Sequence, residues 1–213
     1  MSHDCCHAKG EDLERLAHHR DIRRVLIVVL MLNALMFLVE FGVGLIAQSA
    51  ALMADSVDML GDAAVYGISL YALKRSLRWR AGAALIKGGF ILVVGLGVLV
   101  EIGLKIVYGV PPASDLMFLC GSMALVANLS CLGLLWPYRR HDVNLASTFE
   151  CSRNDVIANL GVIAAAFAVA YARSPWPDIA VALAIAFLFF RSALRVIAGA
   201  WPQYRAAAPE PAE

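Results

Sequence analysis

The sequence predicts an all-α integral membrane protein with six transmembrane helices and both termini cytoplasmic. Three observations carry this prediction. The chain has 213 residues, is 61% hydrophobic and has a mean hydropathy of +0.71, more apolar surface than a soluble domain of this length can hide. Six windows reach the roughly 20 mostly apolar residues that one crossing needs. Lys and Arg crowd alternate loops, and that alternation sets orientation.

The elements follow in order. Residues 1–24 form a polar N-terminal tail, cytoplasmic and unlike a cleaved signal peptide, since no short apolar stretch comes first. The charged stretch Glu11 to Arg24, with pairs such as Glu11–Arg15, predicts a short amphipathic helix. The spans then run about Val25–Ala47, Ala50–Leu73, Ala83–Val107, Leu116–Trp136, Thr148–Ala172 and Ile179–Ala198, inside one membrane domain over 25–200. Only Gln48-Ser49 separates the first two, so that hairpin is tight. Residues 201–213 are Ala/Pro-rich and are expected to be a short disordered tail.

Basic residues sit before span one (Lys9, Arg15, Arg20, Arg23, Arg24), between spans two and three (Lys74, Arg75, Arg78, Arg80, Lys87), between four and five (Arg139, Arg140) and around the end of span six (Arg191, Arg195, Arg205). The opposite loops hold little beyond Lys105 and Arg173. The cytoplasmic membrane is therefore the expected location and the lipid bilayer an expected partner. Nucleic acid is not. Five Cys give no disulfide framework and suit a reduced compartment.

Against this apolar background, Asp58 and Asp62 on span two lie four residues apart and so share one helix face. Cys151 and Asp155 repeat the spacing on span five. A carboxylate at a helix centre costs about 2.5–3.5 kcal/mol on insertion scales. The bland reading is pairing with basic residues, but the membrane interior offers few: Arg153, read as pairing with Glu150 or snorkelling, and Lys87. The sharper reading is a cation site of three carboxylates and one thiolate, a donor set that suits tetrahedral Zn²⁺, admits Cd²⁺ and disfavours Mg²⁺ and Ca²⁺.

Fully ionised, such a site carries about −4 and cannot stay so in a partly dry cavity without the metal. Protons replace the metal when it leaves, so the site couples metal to H⁺ by its own chemistry. Expelling a divalent ion against an inside-negative potential costs roughly twice 2.3 kcal/mol per 100 mV, and each entering proton offsets about half.

Asp55, Glu40 and Asn159 are candidate accessory or pathway residues. Asp55 lies near the Asp58 stripe, Asn159 extends the Cys151–Asp155 stripe by one turn, and Glu40 shares a face of span one with Asn33. Glu40 is read as lining the same cavity or hydrogen-bonding a neighbouring helix. In the tail, His3, Cys5, Cys6 and His7 form a tract of the kind that collects metal. Cys120 and Cys131 share a face of span four and are read as packing. Glu101 and Lys105 on span three are read as a helix ion pair. Ala84, Gly88 and Gly95 are read as a close-approach face, for a neighbouring helix or a dimer. No His lies in any span to activate Cys151, so enzymatic thiol chemistry is not expected, and no prosthetic group is implied.

With these residues in place, the chain resembles the cation diffusion facilitator family, six-span divalent metal cation/proton antiporters. The resemblance rests on Glu40-Phe41-Gly42, on the run Ser49-Ala50-Ala51-Leu52-Met53-Ala54-Asp55-Ser56-Val57-Asp58-Met59-Leu60-Gly61-Asp62, and on Cys151-x-x-x-Asp155. It covers roughly Arg24 to Ala200. It implies transport-site ligands at Asp58, Asp62, Cys151 and Asp155, alternating access, efflux from the cytoplasm and a homodimer. Many members carry His at the position of Cys151 and often at that of Asp58, so this site is more acidic and softer. Many also carry a cytoplasmic metal-sensing domain after span six. The expectation here is a chain without it, whose dimer rests on the membrane helices.

The function expected is proton-coupled efflux of Zn²⁺, with Cd²⁺ or Co²⁺ as further substrates. Two rivals stand beside it. One is a non-transporting membrane metal sensor or accessory protein. The other is a proton-coupled exporter of small organic cations, which would need an aromatic-lined pocket. Trp79, Trp136 and Trp176 instead sit near span ends, where aromatic residues anchor at the interface.

Overall fold

The computed structural model describes residues 20–72, 77–138 and 143–206. Within them the chain forms α1 (Arg20–Ala47), α2 (Ala50–Ala72), α3 (Leu77–Tyr108), α4 (Ser114–Leu135), a 3₁₀ turn (Trp136–Tyr138), α5 (Val143–Ala172) and α6 (Trp176–Ala206). The helices overrun several hydropathy windows. α3 starts six residues before Ala83 and α6 runs eight past Ala198. Charges such as Arg78, Arg80 and Arg205 end an apolar window but leave the backbone ladder intact, so hydropathy underestimates helix length.

Among the described residues, five helices are long and apolar enough to cross a membrane: Arg23–Ala47, Ala81–Tyr108, Ser114–Leu135, Arg153–Ala172 and Trp176–Ala206. α2 is the exception because Asp55, Asp58 and Asp62 all fall within it. Its 23 residues still reach about 34 Å at 1.5 Å per residue. The outward faces are apolar: Ile46, Ile86 and Val93 are each at least 70% exposed, and Leu38 and Phe187 stand out nearly as far. Water would not tolerate such a surface, and lipid does.

α2 is the centre of the bundle. Ala50, Ala51, Leu52 and Ala54 have no exposure, and the helix packs on α1, α3 and α6, with lighter contacts to α4 and α5. The main core joins its first half to Ile91, Val98, Met117, Val162, Ala182 and Phe189. Small residues bring α3 against α6. A Cβ on Gly88 would come within 2.6 Å of Ile197 Cγ1, and one on Gly95 within 2.4 Å of Phe189 Cε2. Two residues of the small face read from the sequence are thus used inside the chain. Cys120 and Cys131 are both buried, and Cys131 accepts a hydrogen bond from Asn33 Nδ2 across α1 and α4.

Three left-handed residues, Gln48 (φ 52°), Gly109 (φ 67°) and Arg173 (φ 47°), end α1, α3 and α5 at the same end of the bundle. At the first, Ser49 N donates to Gly44 O (2.9 Å) and Gln48 N to Leu45 O (3.3 Å), the two bonds of a Schellman cap. Gly44 is required there, since a Cβ would lie 2.8 Å from Met53 Cγ.

This end is fastened by Asp178, in the first turn of α6. Its Oδ1 accepts from Ser49 Oγ (2.6 Å) and Ala51 N (3.2 Å), and its Oδ2 from Ala50 N (2.9 Å) and Lys105 Nζ (2.7 Å). Lys105 Nζ also donates to Gln48 O. Asp178 thus caps the α2 N-terminus from another helix, where the orphan amides and the helix dipole favour a negative charge. The side chains of the pair are 2% and 0% exposed. The Glu101–Lys105 pair expected from spacing is therefore replaced: Lys105 reaches the α6 carboxylate, which has four donors around it.

Candidate functional site

The expected site residues fall on α1, α2 and α5. On α2, Asp62 is buried (7% exposed) and Asp58 half-buried. Both line one narrow cavity between α2, α3 and α6, together with Lys87, Gly88 and Ser192. The i,i+4 spacing therefore does put these two carboxylates on one surface. It faces the α3–α6 pair.

Asp155 is half-buried on α5. One turn further along α5, Asn159 is fully buried and donates from Nδ2 to Asp55 Oδ2 (2.9 Å), which joins α5 to α2. The same Nδ2 donates to the Asp155 carbonyl (2.9 Å). Asp55 is 2% exposed. Glu40 of α1 has no exposure, and its carboxyl group neighbours that of Asp55. With both groups ionised neither is a donor, and the two Glu40 oxygens have no hydrogen-bond partner among the described residues.

The sequence-expected residues thus come together in two groups. Asp58 and Asp62 share a cavity, while Glu40, Asp55 and Asn159 meet nearer the α1–α2 turn. The backbone of Cys151 lies in α5, but its side chain is outside the described residues, as are those of His3, Cys5, Cys6 and His7. Among the described residues, no three His, Cys, Asp or Glu side chains come together as a metal-holding group.

Two features were not singled out from the sequence as part of a site. Lys87 was counted with the basic loop after span two and only as a rare base near the membrane interior. It lines the Asp58–Asp62 cavity from α3, nearly three turns after that helix starts at Leu77. Asp178 fell one residue before the last window and drew no reading. The legible signal for it was a lone Asp in the first turn of an apolar helix.

Comparison with known proteins places this arrangement. Residues 26–200 match the family described as the cation efflux transmembrane domain. The chain is 25% identical over 174 residues to the metal cation efflux system protein CzcD of Cupriavidus metallidurans. It is equally similar to the cation efflux system protein CzcD of an Alcaligenes species. Each alignment covers 76% of this chain and 55% of the relative, so the chain spans about half the length of the curated relatives it matches. A match over residues 26–200, on an all-helical membrane bundle whose central helix carries Asp55, Asp58 and Asp62, means that the chain belongs to the cation diffusion facilitator family of cation efflux proteins.

Proposed function

We propose that the chain is a secondary active transporter that exports a divalent transition metal in exchange for protons. The substrate we favour is Zn²⁺, with Cd²⁺ and Co²⁺ close behind, carried across the cytoplasmic membrane by alternating access. The observation that carries this reading is Asp58 and Asp62 on a single cavity wall of the central helix of a cation efflux domain. We take α2 as a sixth crossing, which returns both termini to the cytoplasmic side, in keeping with the Lys and Arg distribution. The relatives' names, metal cation efflux system proteins, support the substrate class.

In this reading Asp58, Asp62, Cys151 and Asp155 are the ligands of the transported ion. Three carboxylates and a thiolate match a tetrahedral, borderline-soft cation, and the thiolate separates Zn²⁺ and Cd²⁺ from harder ions. Cation binding expels protons from ligands that cannot all stay ionised while empty, which ties one flux to the other. The working unit is a homodimer held through membrane helices.

The test is metal flux in Zn²⁺-loaded proteoliposomes under a pH gradient. Asp62→Ala should lose most of the flux of the parent. An Asp62→Ala protein that transports as fast as the parent would sink the proposal. Flux by the purified parent alone excludes the non-transporting sensor. Protection of Cys151 from a thiol reagent by Zn²⁺ argues against an organic cation substrate.

A further inference from the structure

The least expected group in the bundle is Glu40. It has no exposure, both its carboxyl oxygens lack a partner among the described residues, and it faces a second buried carboxyl group, Asp55. Beside them, Asn159 spends one Nδ2 hydrogen on Asp55 Oδ2, and its Oδ1 has no partner either, in a residue with no exposure. Cys120 of α4 neighbours the pair without joining it in a group of three metal-binding side chains. The result is a dry cluster with acceptors on three helices and one donor between them. Leaving such groups uncompensated is costly in any protein interior, and more so in a membrane. Acceptors converging without donors are what a cation needs.

We propose that Glu40, Asp55 and Asn159 form a second, all-oxygen cation station, taken by the transported divalent ion after it leaves Asp58 and Asp62. Asp55 sits about 4.5 Å along the α2 axis from Asp58, and Asn159 about 6 Å along α5 from Asp155, both toward the α1–α2 turn. The station thus lies one step further along the direction of export. Its chemistry suits release. Carboxylate and amide oxygens hold Zn²⁺ or Cd²⁺ less tightly than a site containing a thiolate does. An ion stepping from the first site to the second therefore moves to a weaker one, from which it can depart.

The inference rests on the proposed export reading, and its test separates the two. The purified full-length chain is dialysed against saturating Cd²⁺, and bound Cd²⁺ is counted by elemental analysis in the parent, Glu40→Gln, Asn159→Ala and Asp62→Ala. Counts are read as differences, so metal on the N-terminal tail cancels. Glu40→Gln should bind about one equivalent less than the parent, and Asp62→Ala should lose a different equivalent, so that the double variant loses about two. Asn159→Ala should weaken the equivalent lost in Glu40→Gln and leave the other intact. It serves as the deciding variant if Glu40→Gln elutes as aggregate. A Glu40→Gln or Asn159→Ala count and affinity equal to the parent's overturns the station and leaves a single proton shared by Glu40 and Asp55 as the account of that pair. An unchanged Asp62→Ala count, with Glu40→Gln lower, overturns the first site and not the second.

Discussion

The Asp178 network makes the sharpest stability prediction. Asp178→Asn preserves shape and removes the charge. In the parent its carboxylate takes four bonds, from Ser49 Oγ, Ala50 N, Ala51 N and Lys105 Nζ, between 2.6 and 3.2 Å. The amide supplies a donor where an acceptor stood, so at least one of these bonds becomes a clash of donors. It also leaves the Lys105 ammonium, 2% exposed, without its carboxylate counter-charge. Removing one member of a buried ion pair costs about 3–5 kcal/mol. Lys105→Met is milder. It leaves Asp178 with three donors at a helix N-terminus, where a negative charge is favoured, and should cost about 1–3 kcal/mol. The double variant, with a neutral amide facing a methionine, should recover part of the Asp178→Asn loss. Equilibrium unfolding of the detergent-purified protein, followed by helical circular dichroism, gives all three values in one cycle. If Asp178→Asn falls within about 1 kcal/mol of the parent, or Lys105→Met is the worse of the two, the claim that this carboxylate holds the helix ends together is wrong.

The remaining predictions concern single sites. Lys87→Met removes a positive charge from the cavity that Asp58 and Asp62 line, so Zn²⁺ affinity by calorimetry should rise by about tenfold, roughly 1.4 kcal/mol, while unchanged affinity would mean the ammonium points its charge elsewhere. Gly95→Ala should cost about 1–3 kcal/mol in unfolding, because the added Cβ lies 2.4 Å from Phe189 Cε2 in the α3–α6 contact. Gln48→Gly should stabilise by about 1 kcal/mol in the same assay, since Gln48 holds a φ of 52° that glycine adopts without strain. Cys151→His should shift metal preference from Cd²⁺ toward Zn²⁺ in competition binding, and an unchanged ratio would remove the thiol from the ligand set.

How much of this the sequence disclosed depends on whether the physics was local. Helix identity and the turn at Gln48-Ser49 were legible, because long apolar runs and a break of two polar residues need no knowledge of neighbours. The Asp58–Asp62 face was legible for the same reason: it is a property of one helix. Pairings between helices were not. Lys105 looked like the partner of Glu101 because i,i+4 spacing is the one interaction a single helix reveals, yet Asp178, 73 residues away, surrounds itself with better donors. Lys87 fell inside the span-three window, but its place on the wall of the Asp58–Asp62 cavity is a relation between helices that spacing does not record. Asn159 appeared as an extension of a stripe, which was correct in position, but its bond to Asp55 across 104 residues had no signal in spacing.

The two polar fasteners on the α1–α2 half of the bundle differ in strength, and that difference says which contact yields when the bundle opens there. The Asp178 network involves an ion pair and amides at the end of α2, and breaking it costs about 3–5 kcal/mol. The Asn159–Asp55 link is one amide–carboxyl bond of 2.9 Å, worth about 0.5–1.5 kcal/mol and, among measured membrane helix contacts, often nearer 0.6. α3 packs closely on α6 through Gly88 and Gly95, whereas α2 meets α5 over a much smaller contact. An ion leaving toward that half should therefore part α2 from α5 while α2, α3 and the start of α6 move as one body, still fastened by Asp178. Spin labels report this directly. Distances between α2 and α6 should stay fixed between metal-free and metal-loaded protein, while those between α2 and α5 change. A fixed α2–α5 distance with a shifting α2–α6 distance would mean that the ion pair, and not the amide bond, is the part that lets go.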